Sequence, residues 1–200
     1  MTISNEEKIY NELAKEYSSE IKSITDLSYN SDQCKQFIES QVTGLDFDNV
    51  KNCNPNCPKL EKSPDALFYF NQTLYFIEFK EGKSEKSDIR LKIHEAIVTL
   101  YNYIMDKRIG VTREQFFELN IRYAVVFRPK RTIARPSFAT TLDPLAKKYE
   151  LQNLEGFLIK KTKVAHTPEG ILNLLNKVTG GQVNNIVYHH RNNTNTTVTI

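Results

Sequence analysis

The chain has 200 residues, 40% of them hydrophobic and 26% charged, which is enough for one globular domain with a real core. Its 27 Lys+Arg against 24 Asp+Glu leave a net charge of +3, too small a surplus to demand a nucleic-acid partner, so any phosphate-binding surface has to be local. No run approaches the roughly 20 apolar residues that span a bilayer, and the first residues lack the apolar core of a secretory signal, so a cytoplasmic protein without membrane contact is expected.

In chain order, residues 5–27 place Ile9, Leu13, Tyr17, Ile21 and Ile24 at steps of four, four, four and three, the stripe of one amphipathic helix. A shorter helix is expected over "SDQCKQFIESQV", residues 31–42, with Ser31 or Asp32 as its cap. Residues 44–62 are rich in Asn, Pro and Asp, have no period, and read as loop. Within them, "CNPNCP" holds Cys53 and Cys57 at a spacing that suits half of a zinc site. No second Cys/His pair follows, so free thiols in a turn are expected, and with Cys34 the three cysteines fit a reducing compartment.

"DALFYF" and "TLYFIEFK", separated by Asn71-Gln72, read as a β-hairpin. Beyond Gly82 a long helix carries Ile89, Ile93, Ile97, Leu100 and Ile104 on one side. Residues 121–127, "IRYAVVF", are apolar enough for a central strand. The basic loop "RPKRTIARP" follows, then a short helix near residues 142–150, a strand at "GFLIKKTKV", and a helix at "TPEGILNLLNKV" capped by Thr167 with Pro168 at its first position. The polar end, residues 189–200, reads as a loose tail or an edge strand, and its "HHR" as solvated. The order implies an α/β domain, a mixed sheet flanked by helices, with an N-terminal helix in about 1–30, a core over about 31–165 and a tail over about 189–200.

The hairpin raises a chemical question, because Asp65 opens it and Glu78 and Lys80 close it. A two-residue turn at Asn71-Gln72 pairs Phe70 with Thr73 and therefore sets Asp65 directly across from Glu78. Alternation along the strand then puts Leu74, Phe76, Glu78 and Lys80 on one face and Tyr75, Ile77 and Phe79 on the other. Two opposed carboxylates repel by about 1 kcal/mol or more once solvent is excluded. A divalent cation removes that repulsion, and hard oxygen ligands that leave positions for water suit Mg²⁺ or Mn²⁺. Such an ion, beside the Lys80 ammonium, serves phosphodiester hydrolysis.

Pro64-Asp65 followed by a strand pair and Glu78-Phe79-Lys80 resembles the PD-(D/E)XK nuclease superfamily, which includes the restriction endonucleases. The family core, a helix, a three-stranded meander, a helix and a further strand, resembles the order over about residues 31–128. The resemblance implies a restriction-endonuclease-like fold and an Mg²⁺-dependent endonuclease acting on DNA. It implies Asp65 and Glu78 as metal ligands, the Phe79 main-chain carbonyl as a further one, and Lys80 as the catalytic lysine. Relatives often carry one more acid on the preceding helix. Glu39 is the nearest candidate, with Glu20, Glu16 and Glu12 as alternatives.

Lys83, Lys86, Arg90 and Lys92 cluster near the start of the long helix, where they either follow a phosphate backbone or face solvent. Arg128, Lys130, Arg131 and Arg135 make the basic loop either a DNA backbone clamp or a solvated crossing. His94, Tyr101 and Asn102 are weaker equivalents of helical polar residues found in relatives. A ribonuclease or defence effector of the same fold and a catalytically inactive nucleic-acid-binding module remain the alternatives. RNA is the second expected partner, and a homodimer is expected if both strands of DNA are cut.

Overall fold

In the computed structural model the described residues are 3–31, 34–50, 61–82, 85–129 and 149–200. Cys53, Cys57, Lys83, Lys130, Arg131, Arg135 and the helix expected near 142–150 (except residues 149–150) lie outside them. A six-stranded mixed sheet forms the centre, made of β1 (Ile21–Ser23), β3 (Thr43–Asp46), β4 (Ala66–Tyr69), β5 (Leu74–Glu81), β6 (Ile121–Arg128) and β7 (Ile159–Ala165), in the order β1-β3-β4-β5-β6-β7. The first four run antiparallel to their neighbours, while β5, β6 and β7 are parallel. A smaller sheet joins β2 (Ile38–Glu39), β8 (Asn185–His189) and β9 (Asn195–Thr199).

Strand alternation divides the core between two sides. Leu74 and Phe76 of β5, with Ile121, Tyr123, Val125 and Phe127 of β6, pack under α1 (Asn5–Glu16), α3 (Lys86–Lys107) and α4 (Arg113–Glu118). Tyr75 and Ile77, with Ala124 and Val126, pack under α2 (Ile24–Leu27), α5 (Pro168–Val178) and the small sheet. Both faces of β5 and β6 are therefore covered, as their continuous apolar runs require. The stripe expected on α3 is buried throughout, from Ile89 to Ile104. Thr167 caps α5 by accepting the Gly170 N–H at 3.1 Å, with Pro168 at the first turn. Among the described residues no helix is long and apolar enough to cross a membrane.

Three expectations need correction. The helix over 5–27 stops at Glu16, and the chain continues as a 3₁₀ turn, then β1, then α2, whose cap Ser23 accepts the Asp26 N–H. The single stripe was an accident of spacing, since Ile9 and Leu13 pack on one side of the sheet and Ile24 on the other. Among the described residues of 31–42 there is no helix. The segment is extended instead, Ile38 pairing with Tyr188 of β8, and Phe37 and Ile38 are both buried there. The loop over 44–62 contains β3 and a 3₁₀ turn at Phe47–Asn49. At the end of the chain the edge-strand alternative holds: β8 and β9 form a hairpin, with β9 at the edge of the small sheet. Helix α4, held by a Thr112/Gln115 capping box, was not anticipated.

Gly44 occupies β3 one step from the Leu45–Leu67 pair, and a Cβ there would lie 2.5 Å from the ring of buried Phe68. Gly44→Ala is expected to destabilise by about 1–3 kcal/mol through overpacking, read as a fall in the urea midpoint with an unchanged slope. An unaffected midpoint would show that the Phe68 ring yields freely.

Candidate functional site

The site begins with the hairpin turn. Asn71 and Gln72 both adopt left-handed backbone, φ 46° and 54°, the geometry whose twist matches that of the flanking strands. Phe70 and Thr73 exchange both backbone hydrogen bonds, at 3.2 and 3.1 Å. The ladder runs Tyr69–Leu74, Phe68–Tyr75, Leu67–Phe76 and Ala66–Ile77, so the next position sets Asp65 across from Glu78. Asp65 is clamped from both neighbouring strands, its carboxylate Oδ2 accepting the Phe79 N–H at 2.5 Å and its carbonyl accepting the Phe47 N–H at 3.1 Å.

Glu78 is 1% exposed. A lysine relieves the opposition between the two acids: Lys92 Nζ of α3 lies 2.8 Å from Glu78 Oε2 and 3.5 Å from Asp65 Oδ1. Burial pushes the Asp65 carboxyl up to about 6, with Lys92 drawing it down and Asp48 raising it further. Glu78 is held well above the carboxylate range by burial and then by the Asp65 charge, against the pull of Lys92. Burial alone would lower the Lys92 ammonium, but Asp65 and Glu78 outweigh it and raise it above the ordinary lysine value.

Further charges surround this triad. Asp48, in the turn after β3, accepts the Ser63 hydroxyl at 2.6 Å. Asp88, in the first turn of α3, is ion-paired with Lys62 and lies 3.9 Å from Lys80 Nζ. The Lys62 hydrogen bond pulls its carboxyl below the usual range. Lys80 is two positions beyond Glu78 on the same face of β5 and partly exposed. The structure thus brings together Asp65, Glu78 and Lys80 as expected from sequence, and adds Lys92, Asp48, Asp88 and Lys62.

Other candidates fall elsewhere. Glu39 lies on β2 and not on a helix, 47% exposed, with its Oε1 2.6 Å from His189 Nε2 in the small sheet. The reason for placing it beside Asp65 goes with the missing helix. Glu20 is tied to Lys22 and Asn49, and Glu16 to Tyr103 and Lys107. Lys86 pairs with Glu150. Tyr101 accepts a hydrogen bond from Arg113 Nε. Arg128 is the clearest correction: it is 2% exposed, closes β6, and pairs with Glu81 on the face opposite the site, so it is not free to grip a phosphate. The "HHR" segment is partly buried and partnered rather than freely solvated. His189 meets Glu39, His190 meets Thr196 at 2.8 Å, and Arg191 reaches Glu81 at 3.4 Å.

Lys92 had a readable signal. It falls between Ile89 and Ile93 on the buried stripe of α3, where a lysine needs a buried anionic partner.

Among the described residues no group of three or more His, Cys, Asp or Glu is arranged to hold a metal ion. Asp65 and Glu78 form a two-carboxylate position with the Phe79 carbonyl next in chain. Hard oxygens on adjacent strands, already embracing one cationic nitrogen, fit a hard divalent ion that keeps several waters. Comparison with family models, with curated proteins and with solved structures finds no match for this chain.

Proposed function

We propose that this chain is a metal-dependent nuclease of the restriction-endonuclease-like PD-(D/E)XK type, hydrolysing phosphodiester bonds in DNA. The observation that carries the reading is the hairpin register, which opposes Asp65, just before β4, and Glu78, inside β5, with Lys80 two residues on. The β3-β4-β5 meander followed by α3 and β6 supports it, although the helix expected over residues 31–42 to open that core is absent among the described residues and α1 precedes the meander at a distance, with β1, α2 and β2 between them.

Asp65, Glu78 and the Phe79 carbonyl would hold Mg²⁺ or Mn²⁺. When bound, such an ion supplies charge neutralisation at the phosphate and a water of lowered pKa. The protein's own contribution is positional. The Phe79 N–H fixes the rotamer of Asp65, and burial among α3 residues fixes Glu78. The Lys80 ammonium, beside Asp88, is placed to orient the attacking water or a phosphate oxygen.

Supercoiled plasmid and single-stranded RNA, each incubated with the protein in Mg²⁺ or in EDTA, test the reading. DNA cleavage in Mg²⁺ alone is expected, and Lys80→Ala should reduce it on the order of 10²–10³-fold without loss of fold. Undiminished cleavage by that variant would remove Lys80 from the mechanism, and cleavage of RNA alone would make the enzyme a ribonuclease.

One observation favours a second reading. Because Lys92 already neutralises Glu78 at 2.8 Å, the acids also suit a buried structural ion pair in a nucleic-acid-binding module without cleavage. That module would bind DNA equally in Mg²⁺ and EDTA and cut neither substrate.

A further inference from the structure

We infer that Lys92 is a displaceable internal counter-ion, which holds the metal position closed until a divalent ion drives its ammonium off Asp65 and Glu78. The inference rests on the nuclease reading and concerns how that site is loaded.

Lys92 and a divalent ion compete for the same ligands. Lys92 Nζ contacts Glu78 Oε2 at 2.8 Å and Asp65 Oδ1 at 3.5 Å, and these are oxygens a divalent ion would take. Mg²⁺ sits about 2.1 Å from its oxygens. An ion on Glu78 Oε2 would therefore lie within a few ångströms of an ammonium held on the same atom, and the two cations would repel strongly in so buried a place. Both cannot occupy the pair.

The lysine can leave where the carboxylates cannot. Asp65 is fixed through the Phe79 N–H and the Phe47 N–H, and Glu78 lies within a central strand. Lys92 hangs on a four-carbon stem from α3, whose backbone is anchored by buried Ile89 and Ile93 on either side. Its side chain is 16% exposed, so a path toward solvent is open. Asp88 stands one helical turn earlier on α3, at the spacing that favours ion pairs on a helix; its Oδ1 is taken by Lys62, and its Oδ2, 3.9 Å from Lys80 Nζ, is the oxygen a freed ammonium would share.

In the absence of metal the lysine therefore holds two buried acids together without an ion. In its presence the same lysine is a competitor that weakens the apparent affinity. Removing it relieves the competition and leaves the acids dependent on an added cation or a proton to hold them together, so the comparison is made at alkaline pH, where the proton competes least.

The test uses Mn²⁺ on the metal-free 200-residue chain. Calorimetric titration of the wild type and of Lys92→Met is expected to show binding at least about tenfold tighter in the variant, the scale set by one charge-assisted hydrogen bond that no longer has to be broken. A second measurement needs no variant. Reductive methylation of the wild type, read at Lys92 by peptide mass spectrometry, should rise severalfold on adding Mn²⁺, while Lys107, paired with Glu16 away from the site, keeps its reactivity. Equal or weaker Mn²⁺ binding by a folded Lys92→Met, or methylation of Lys92 that Mn²⁺ leaves unchanged, overturns the displacement while leaving the nuclease reading in place. Absence of Mn²⁺ binding by both proteins overturns the metal site itself, and the displacement with it.

Discussion

Arg128→Met is expected to destabilise the protein by about 3–5 kcal/mol, the scale on which one partner of a buried ion pair is left alone. Arg128 and Glu81 face each other across the parallel β5–β6 ladder, and both are almost wholly buried. The guanidinium also donates from Nη1 to the carbonyls of Gln36 at 2.7 Å and His189 at 2.6 Å, and it lies over the Phe37 ring at 4.7 Å. One side chain thus ties the central sheet to the segment before β2 and to the end of β8. Methionine fills similar volume but leaves the Glu81 carboxylate, among the described residues, with Arg191 at 3.4 Å, and takes away the donor that Arg128 gives to two carbonyls. For a domain of this size a loss on that scale lowers the melting temperature by roughly 10 °C. Adding Glu81→Gln to the same chain should recover part of it, because the orphaned charge is gone. A residue that gripped DNA from the surface would change stability by no more than about 0.5 kcal/mol, so a melt within a degree or so of wild type would restore Arg128 to the nucleic-acid surface.

The reading of Arg128 as part of a basic loop illustrates how far the sequence carried. "FRPKR" looks like the start of a charged loop, and only the length of β6 tells that the strand runs one residue further, to the register partner of Glu81. Alternation would have found it: Ala124, Val126 and Arg128 share a face, as do Ile77, Phe79 and Glu81. The strands β1, β2 and β3 were illegible for a different reason. Each is two to four residues long and contributes one or two apolar side chains, too few to set a period. Their pairing is decided by backbone hydrogen bonds to strands distant in sequence, which no local pattern encodes. The hairpin was legible because a two-residue turn admits a single register, and α3 and α5 because long stripes and caps agree with each other. The opposed acids followed from that register. Their relief did not, since it depends on a helix crossing the sheet at the one place where Lys92 meets both carboxylates.

Asp65→Asn is expected, in EDTA, to melt at or above the wild-type temperature, and to lose the stabilisation that millimolar Mg²⁺ or Mn²⁺ gives the wild type. Asparagine keeps an oxygen to accept the Phe79 N–H, so the clamp on residue 65 survives. What is lost is the 3.5 Å contact with Lys92, which retains Glu78 at 2.8 Å, and what is gained is release from the charges of Glu78 and Asp48. The pH dependence has a definite sign. Asp65 titrates near 6 in the fold against 3.8 ordinarily, so between about pH 4 and 6 the folded protein holds the extra proton. The Asp65 contribution to metal-free stability therefore falls as pH rises through that window, by at most about 3 kcal/mol, a ceiling because a fifth of the Asp65 side chain meets solvent, and Glu78, whose carboxyl is also raised, continues the fall at higher pH. The variant lacks this contribution, and its curve should be flatter over the same range. With metal at a hundred times its dissociation constant the wild type gains about 2.7 kcal/mol by mass action, and the variant, missing one of two carboxylates, gains far less. Thermal melts of both proteins from pH 4 to 8, in EDTA and in metal, measure all of this. A clear drop in the melting temperature of metal-free Asp65→Asn at neutral pH, together with a wild type indifferent to metal, would mean that Asp65 is a structural anchor for the Phe79 N–H and for Lys92, and that the opposed pair holds no ion.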